Sequence, residues 1–208
     1  MPRRKDGEVT KEKILAAASR LFARKGYRGT TVAEIASESG VNGALVNYYY
    51  GEKAELYRSA WDFVLRKALE RHPLYGKLNE SAPAVKRLYE IIASDIARRS
   101  DTESSENDIM LNELSSPTGI LENVHAKSFS GLRAALRAAV QDILGTNIPE
   151  EEQRLAVLSI FAMCVVPVKQ IQQMEGNPEY AYDPEERARH VYNFAMAGLL
   201  DLLSRGAG

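Results

Sequence analysis

Apolar residues recur at three- and four-residue intervals along nearly the whole chain, and this spacing predicts an all-α protein. A first helix is expected from Thr10, which caps it, through Ile14, Leu15, Ala18, Leu21 and Phe22 to a stop at Gly26. Lys13 stands where a capping box would place an acid, so only half of that motif is present. Thr31 and Glu34 form a complete T-x-x-E pair at the start of a second helix, whose stripe is Val32, Ile35 and Ala36 and whose end is Ser39-Gly40. Val41 is the expected buried turn residue. Asn42 then caps a third helix of two turns, Gly43 to Tyr49, with Leu45 and Tyr48 facing inward. So short a helix is marginal alone and must be held by the first two. Two helices joined by a tight turn, the second short and rich in small residues, point to a DNA-binding module.

The rest of the chain continues the same pattern. Glu52 to Glu70 reads as a spacer helix with Leu56, Ala60, Phe63, Val64, Ala68 and Leu69 on its apolar side, ended by His72-Pro73. Pro83 opens a helix carrying Val85, Leu88, Ile91, Ile92 and Ile96, with Arg98 and Arg99 favouring its C-terminal end. Ser100 to Asp108 is polar and turn-like. A short helix from Ile109 to Ser115 and a longer one from Gly119 to Leu144 follow. Glu150 to Met174 is apolar in its middle, and Pro167 should kink it. A polar loop leads to Pro184 and a final helix, Glu185 to Leu203. Paired between two copies, the last two helices would make a four-helix dimer interface, with packing inside one chain as the competing use of the same residues.

Charge sharpens this division. Residues 1–72 hold 14 Lys+Arg against 9 Asp+Glu, whereas residues 73–208 hold 13 against 19, an asymmetry hidden by the overall charge of −1. A basic head on an acidic body suits a protein that meets a polyanion at one end. Residues 1–9, with Arg3, Arg4 and Lys5, read as a flexible basic arm. Cys164 is the single cysteine, which excludes an internal disulfide and reads as a small buried hydrophobe. His72, His125 and His190 lack metal-ligand spacing, and no nucleophile elbow, C-x-x-C or phosphate-binding glycine loop is present, so neither a metal, a cofactor nor an enzymatic activity is expected. The N-terminus has no signal-peptide core and no apolar run is long enough to span a membrane, so a cytoplasmic protein without membrane contact is expected.

On DNA, a short helix with Gly43, Ala44 and Asn47 can enter the major groove deeply, and the Asn47 carboxamide can pair with a base edge through donor and acceptor. Tyr48 and Tyr49 suit phosphate, sugar or thymine-methyl contacts, while Lys53 in the first turn of the fourth helix suits a phosphate. Thr31 and Asn42, at the two caps, complete the candidate DNA-binding set. The strings ILAAASRLFARKGYRGTTVAEIASESGV and NYYYGEKAELY resemble the N-terminal domain of the TetR family of transcriptional regulators, from about Thr10 to Arg66. Tyr49 and Tyr50 replace the histidine and phenylalanine found in many relatives, Glu52 a small residue, and Ala54 the first of the usual acids. The resemblance implies a homodimer, most often a repressor, whose two recognition helices bind a near-palindromic double-stranded operator. It also implies a small-molecule effector that binds the C-terminal domain and releases the DNA.

On this basis residues 1–51 are expected to form the arm and helix-turn-helix domain, and residues 52–208 the effector-binding and dimerisation domain. Phe63, Leu88, Met110, His125, Phe129, Met163 and Cys164 are candidates to line a pocket for a lipophilic effector, and serve equally well as core. A DNA-binding adaptor governed by a protein partner, or a helical enzyme with a DNA-binding-like head, are the other classes.

Overall fold

The computed structural model describes residues 3–165 and 182–206, the side chains of residues 3–6 and 122–128 excepted. Along the described residues run α1 (Arg3–Lys25), α2 (Val32–Ser39), α3 (Gly43–Tyr50), α4 (Lys53–Arg71), α5 (Ala84–Ser100), α6 (Glu106–Ser115), α7 (Glu122–Leu144), α8 (Glu150–Val165) and α9 (Pro184–Gly206), with no strand among them. The expected kink at Pro167, the continuation of α8 to Met174 and most of the polar loop before Pro184 lie outside the described residues. So does the side chain of His125.

The chain forms two compact units, one from Met1–Ala68 and Thr102–Ala126, the other from Leu69–Asp101 and Lys127–Gly208. The boundary expected at 51/52 therefore falls inside the first unit. Burial explains the difference: Leu56, Tyr57, Ala60, Trp61 and Val64 of α4 belong to the core that α1 also fills with Ile14, Ala18, Leu21 and Phe22. The buried stripe of α4 is rotated from the expected one, since Tyr57 and Trp61 are inside, Phe63 is half-buried and Leu69 is exposed. Phe22, Tyr27 and Tyr57 pack ring against ring, with Phe22 and Tyr57 centroids 4.7 Å apart.

Polar groups lock this first unit together. The last carbonyls of α1 need partners from outside the helix. The Thr30 hydroxyl donates to the carbonyls of Leu21 (3.2 Å) and Gly26 (2.9 Å), and the Asn112 amide of α6 donates to those of Phe22 (3.1 Å) and Ala23 (2.8 Å). Gly26, at φ 67°, turns the chain out of the helix as expected. Buried Glu113 of α6 accepts from the Tyr57 hydroxyl (3.1 Å) and from the amide and hydroxyl of Thr118 (both 2.8 Å). Proximity to Glu113 adds to burial in raising the Tyr57 pKa. These links explain why α6 joins the first unit although more than thirty residues separate it from α4.

The second unit is built on α5, α7, α8 and α9. Leu88, Ile91, Ile92 and Ile96 of α5 meet Leu132, Leu136 and Val140 of α7, Ile160 and Cys164 of α8, and Val191, Ala195 and Leu199 of α9 in one apolar core. Val85, expected on the inner side of α5, is exposed. Arg98 and Arg99 stand in the last turn of α5, as expected, but both are buried, and donate to the two oxygens of Asp95, itself 3% exposed, at 2.7 and 2.8 Å. Spacings of three and four residues place all three on one face of α5, the face that enters the core.

Candidate nucleic-acid interface

α2 is fixed first. The Thr31 hydroxyl accepts from the Glu34 amide (3.2 Å), while Glu34 accepts from the Thr31 amide (2.8 Å), closing the expected capping box. Lys25 of α1 donates to the other Glu34 oxygen at 2.7 Å. Lys25 foremost, then Thr31, holds the Glu34 carboxyl well below the ordinary carboxylate range, at about 2. A depressed carboxylate stabilises the fold above its unfolded pKa and loses that contribution as pH falls through the folded one. The cap should thus persist into strong acid, and a Glu34 carboxyl titration followed by NMR should have its midpoint near pH 2. A midpoint in the usual carboxylate range would show that the box opens in solution.

Gly40, at φ 68°, ends α2, and Asn42 caps α3 by accepting from the Ala44 amide at 2.9 Å. Val41 in the turn is half-buried rather than fully enclosed. Within α3 the inward residue is Val46, at 1% exposure, with Leu45 half-buried. Tyr48, expected inside, is 79% exposed. The correction follows from helix geometry: two residues beyond Val46 is about 200° round the helix, so both cannot face the same core. The outward face carries Ala44, Asn47 and Tyr48, and the Asn47 carboxamide makes no hydrogen bond to another described residue.

Tyr49 and Tyr50 turn the other way. The Tyr50 hydroxyl donates to the Lys11 carbonyl (3.2 Å), and burial foremost, followed by Glu8 and Tyr49, pushes its pKa up to about 12. Lys11 Nζ lies 5.7 Å from the Tyr49 ring centroid. These contacts accompany a second correction. Instead of a flexible arm capped at Thr10, α1 runs back to Arg3 and carries the Lys11–Glu8 ion pair at 3.1 Å. Lys53 is half-buried with Nζ 4.2 Å from the Tyr27 ring centroid, and burial lowers its pKa against the opposing pull of Glu34. All eight candidates belong to the first unit: Thr31 at the N-cap of α2, Asn42 at that of α3, Gly43, Ala44, Asn47, Tyr48 and Tyr49 on α3, and Lys53 at the start of α4.

The effector-pocket candidates are not gathered in this way. Phe63 and Met110 belong to the first unit, whereas Leu88, Phe129, Met163 and Cys164 belong to the second. Leu88 and Cys164 are fully buried core, Phe129 and Met163 are half-buried, and Phe129 packs edge-on against Phe161 at 5.6 Å. Burial, more than nearby Asp95, pushes the Cys164 thiol up to about 12, which suits a core residue. A recess of about 50 Å³, lined by Arg137, Gln141, Glu150, Gln153, Arg154 and Val157, includes none of these candidates. Among the described residues no cluster suited to a metal ion occurs, and no helix is long and apolar enough to cross a membrane.

Comparison with known proteins agrees with this geometry. Residues 14–60 match the model for bacterial regulatory proteins of the tetR family, and residues 84–199 match that for the C-terminal domain of the HTH-type transcriptional dual regulator CecR. CecR of Shigella flexneri is 30% identical over 141 residues, which are 62% of each protein, so the chain spans less than two thirds of that relative. The uncharacterized HTH-type transcriptional regulator YxaF of Bacillus subtilis is 30% identical over 148 residues, 69% of this chain and 74% of that one. Among solved structures, AibR in complex with isovaleryl coenzyme A and operator DNA shares the fold, with a TM-score of 0.69 at 19% identity over 89% of this chain and 97% of the other. The capped α2–turn–α3 pair therefore sits where one family model matches, a second covers more than half the chain, and a relative is matched over most of its length: the protein belongs to the TetR family of helix-turn-helix transcriptional regulators.

Proposed function

We propose that this chain is a homodimeric repressor that binds a near-palindromic operator through paired α3 helices and is released by a small lipophilic effector. The observation that carries the DNA-binding part is the outward face of α3, where small residues leave the backbone accessible and Asn47 and Tyr48 project unburied. Gly43 and Ala44 permit close approach to the groove floor, Asn47 reads a base edge, and Tyr48 and Lys53 meet the sugar–phosphate backbone. Thr31 and Asn42 lie at the two caps, where exposed backbone amides also suit phosphate oxygens.

Dimerisation is supported by the second unit. Leu155 and Leu158 of α8 and Phe194 and Leu200 of α9 are exposed, Phe194 to 65%. A side chain added at Gly198 would meet nothing within 4 Å, so packing within the chain gives no reason for a glycine there. An apolar face with a small-residue notch suits a second copy of the same helices. Phe194→Ala should weaken self-association about tenfold, as read by sedimentation equilibrium. A chain that stays monomeric at all concentrations would remove this part of the proposal.

The effector is assigned to the second unit, near Leu88, Phe129, Met163 and Cys164. The similarly folded AibR, solved with both isovaleryl coenzyme A and operator DNA, supports a regulator of this fold that answers to a small molecule. α4 is a single helix whose residues pass from the first unit into the second, so it is the proposed transmitter. Footprinting of the purified protein on genomic DNA should reveal paired half-sites one helical turn, or a multiple of it, apart. Operator affinity that stayed constant across ligands shown to bind would sink the effector-release mechanism.

A further inference from the structure

Arginines gather at one place in the second unit. Arg98 and Arg99 of α5 share the buried carboxylate of Asp95, and Arg187, in the first turn of α9, donates from Nη2 to the carbonyls of Met163 (2.9 Å) and Cys164 (3.5 Å) of α8. Burial foremost pulls the Arg187 guanidinium below its ordinary pKa; Cys164 and Asp95 act to raise it, and Arg99 to lower it. The charges of Arg99 and Arg187 thus repel each other within one cluster. Carbonyls satisfy N–H donors but carry no net charge, so the hydrogen bonds of Arg187 leave this repulsion in place. Like charges held close in partly desolvated surroundings favour an anion beside them.

An apolar surface adjoins the cluster. Arg99 Cζ lies 5.2 Å from the Phe129 ring centroid, Phe129 packs edge-on against Phe161 at 5.6 Å, and Arg133 Cζ lies 6.0 Å from the Phe161 centroid. Guanidiniums therefore flank both rings. Phe129, Phe161, Met163 and Arg187 are all half-buried, so part of each is open to a molecule arriving from solution. A neutral hydrocarbon would use the rings alone. A hydrocarbon ending in a carboxylate would use rings and cations together.

We infer that the second unit takes an aliphatic carboxylate, its anionic head between Arg99 and Arg187 and its tail against Phe129, Phe161 and Met163. This rests on the reading of the second unit as the effector-binding part and deepens it, replacing a lipophilic molecule of any kind by an amphiphilic anion. Arg187 is the residue to change, because altering Arg99 would also disturb its pairing with Asp95 in the core.

The test is calorimetric titration of the full-length protein with octanoate near neutral pH, for the parent, Arg187→Lys and Arg187→Gln. Both replacements can donate to the Met163 carbonyl, but only lysine keeps the charge. Arg187→Gln should bind octanoate at least about tenfold more weakly than the parent. Arg187→Lys should fall between the two, since it keeps the charge without the planar fork. Octan-1-ol, which has the tail without the charge, should bind the parent at least about tenfold more weakly than octanoate and should not distinguish the parent from Arg187→Gln. From hexanoate to octanoate, each added methylene should tighten binding about fourfold.

Octan-1-ol binding as tightly as octanoate would leave a lipophilic site and remove the anionic head. Equal octanoate affinities for the parent and Arg187→Gln would take Arg187 out of the site, and affinity that did not rise with tail length would take out the aromatic surface. No saturable binding by either carboxylate would overturn the inference whole. Circular dichroism and thermal melts show whether each variant is folded; the octanoate and octan-1-ol comparison on the parent decides the anionic head even if Arg187→Gln is unstable. Operator affinity with and without the probes separates this inference from the reading beneath it. If octanoate binds as described and operator affinity does not change, release by this effector fails and the carboxylate site stands. If octan-1-ol releases the operator and octanoate does not, effector release stands and the carboxylate fails.

Discussion

Asp95→Ala should destabilise the second unit by about 3–5 kcal/mol, because it removes the carboxylate that Arg98 and Arg99 both engage inside the core. The two arginine side chains are each only 6% exposed, so water can replace little of what the carboxylate supplied. In calorimetry, the transition belonging to the second unit should fall by at least about 10 °C. Asp95→Asn keeps an acceptor but not the charge and should fall less. Deleting both sides at once is more informative than deleting either. Asp95→Leu with Arg99→Met should cost less than the sum of the single changes, since the double change removes both ends of the Arg99–Asp95 pair, whose loss the two single changes each count once. Additive losses would mean that the ion pairs on α5 are incidental to the packing around them.

The Asp95 cluster also shows what a sequence pattern conceals. Arg98 and Arg99 follow an apolar stripe at the end of a helix, where the dipole favours them, and the stripe does not say which way they turn. Their actual direction depends on Asp95 lying three and four residues earlier on the core-facing side, a choice settled by burial and not by periodicity. Capping is different. Thr31, Glu34, Gly40 and Asn42 act through amides within a few residues of themselves, so the ends of α2 and the start of α3 are legible in the sequence. The inner face of a two-turn helix is less so: Leu45, Val46 and Tyr48 are all large, and only the placement of α1 and α2 selects Val46. The inclusion of α6 in the first unit was hidden for a related reason. Asn112 and Glu113 read as ordinary polar positions of a short helix until the carbonyls of Phe22 and Ala23 and the hydroxyl of Tyr57 are seen to meet them.

Asn47→Ala should leave the fold intact and reduce discrimination between the footprinted operator and a mismatched duplex by about 1–3 kcal/mol per half-site, roughly fivefold to more than a hundredfold. Asn47 is exposed on α3, and no hydrogen bond ties its carboxamide to another described residue, so its loss removes no internal partner. The helix keeps its Asn42 cap and its Val46 anchor. Alanine also has the higher helix propensity, so the melting temperature should stay level or rise slightly. The backbone contacts proposed for Tyr48 and Lys53 would carry no sequence information, and binding to arbitrary DNA should therefore change far less than binding to the operator. Measuring both duplexes at one fixed salt concentration decides the matter. Equal losses on the two would move Asn47 from base reading to backbone contact. Unchanged binding to both would place the sequence-reading chemistry on the other exposed positions of α3, leaving Gly43 and Ala44 to admit the helix and the ring of Tyr48 to distinguish thymine methyl groups.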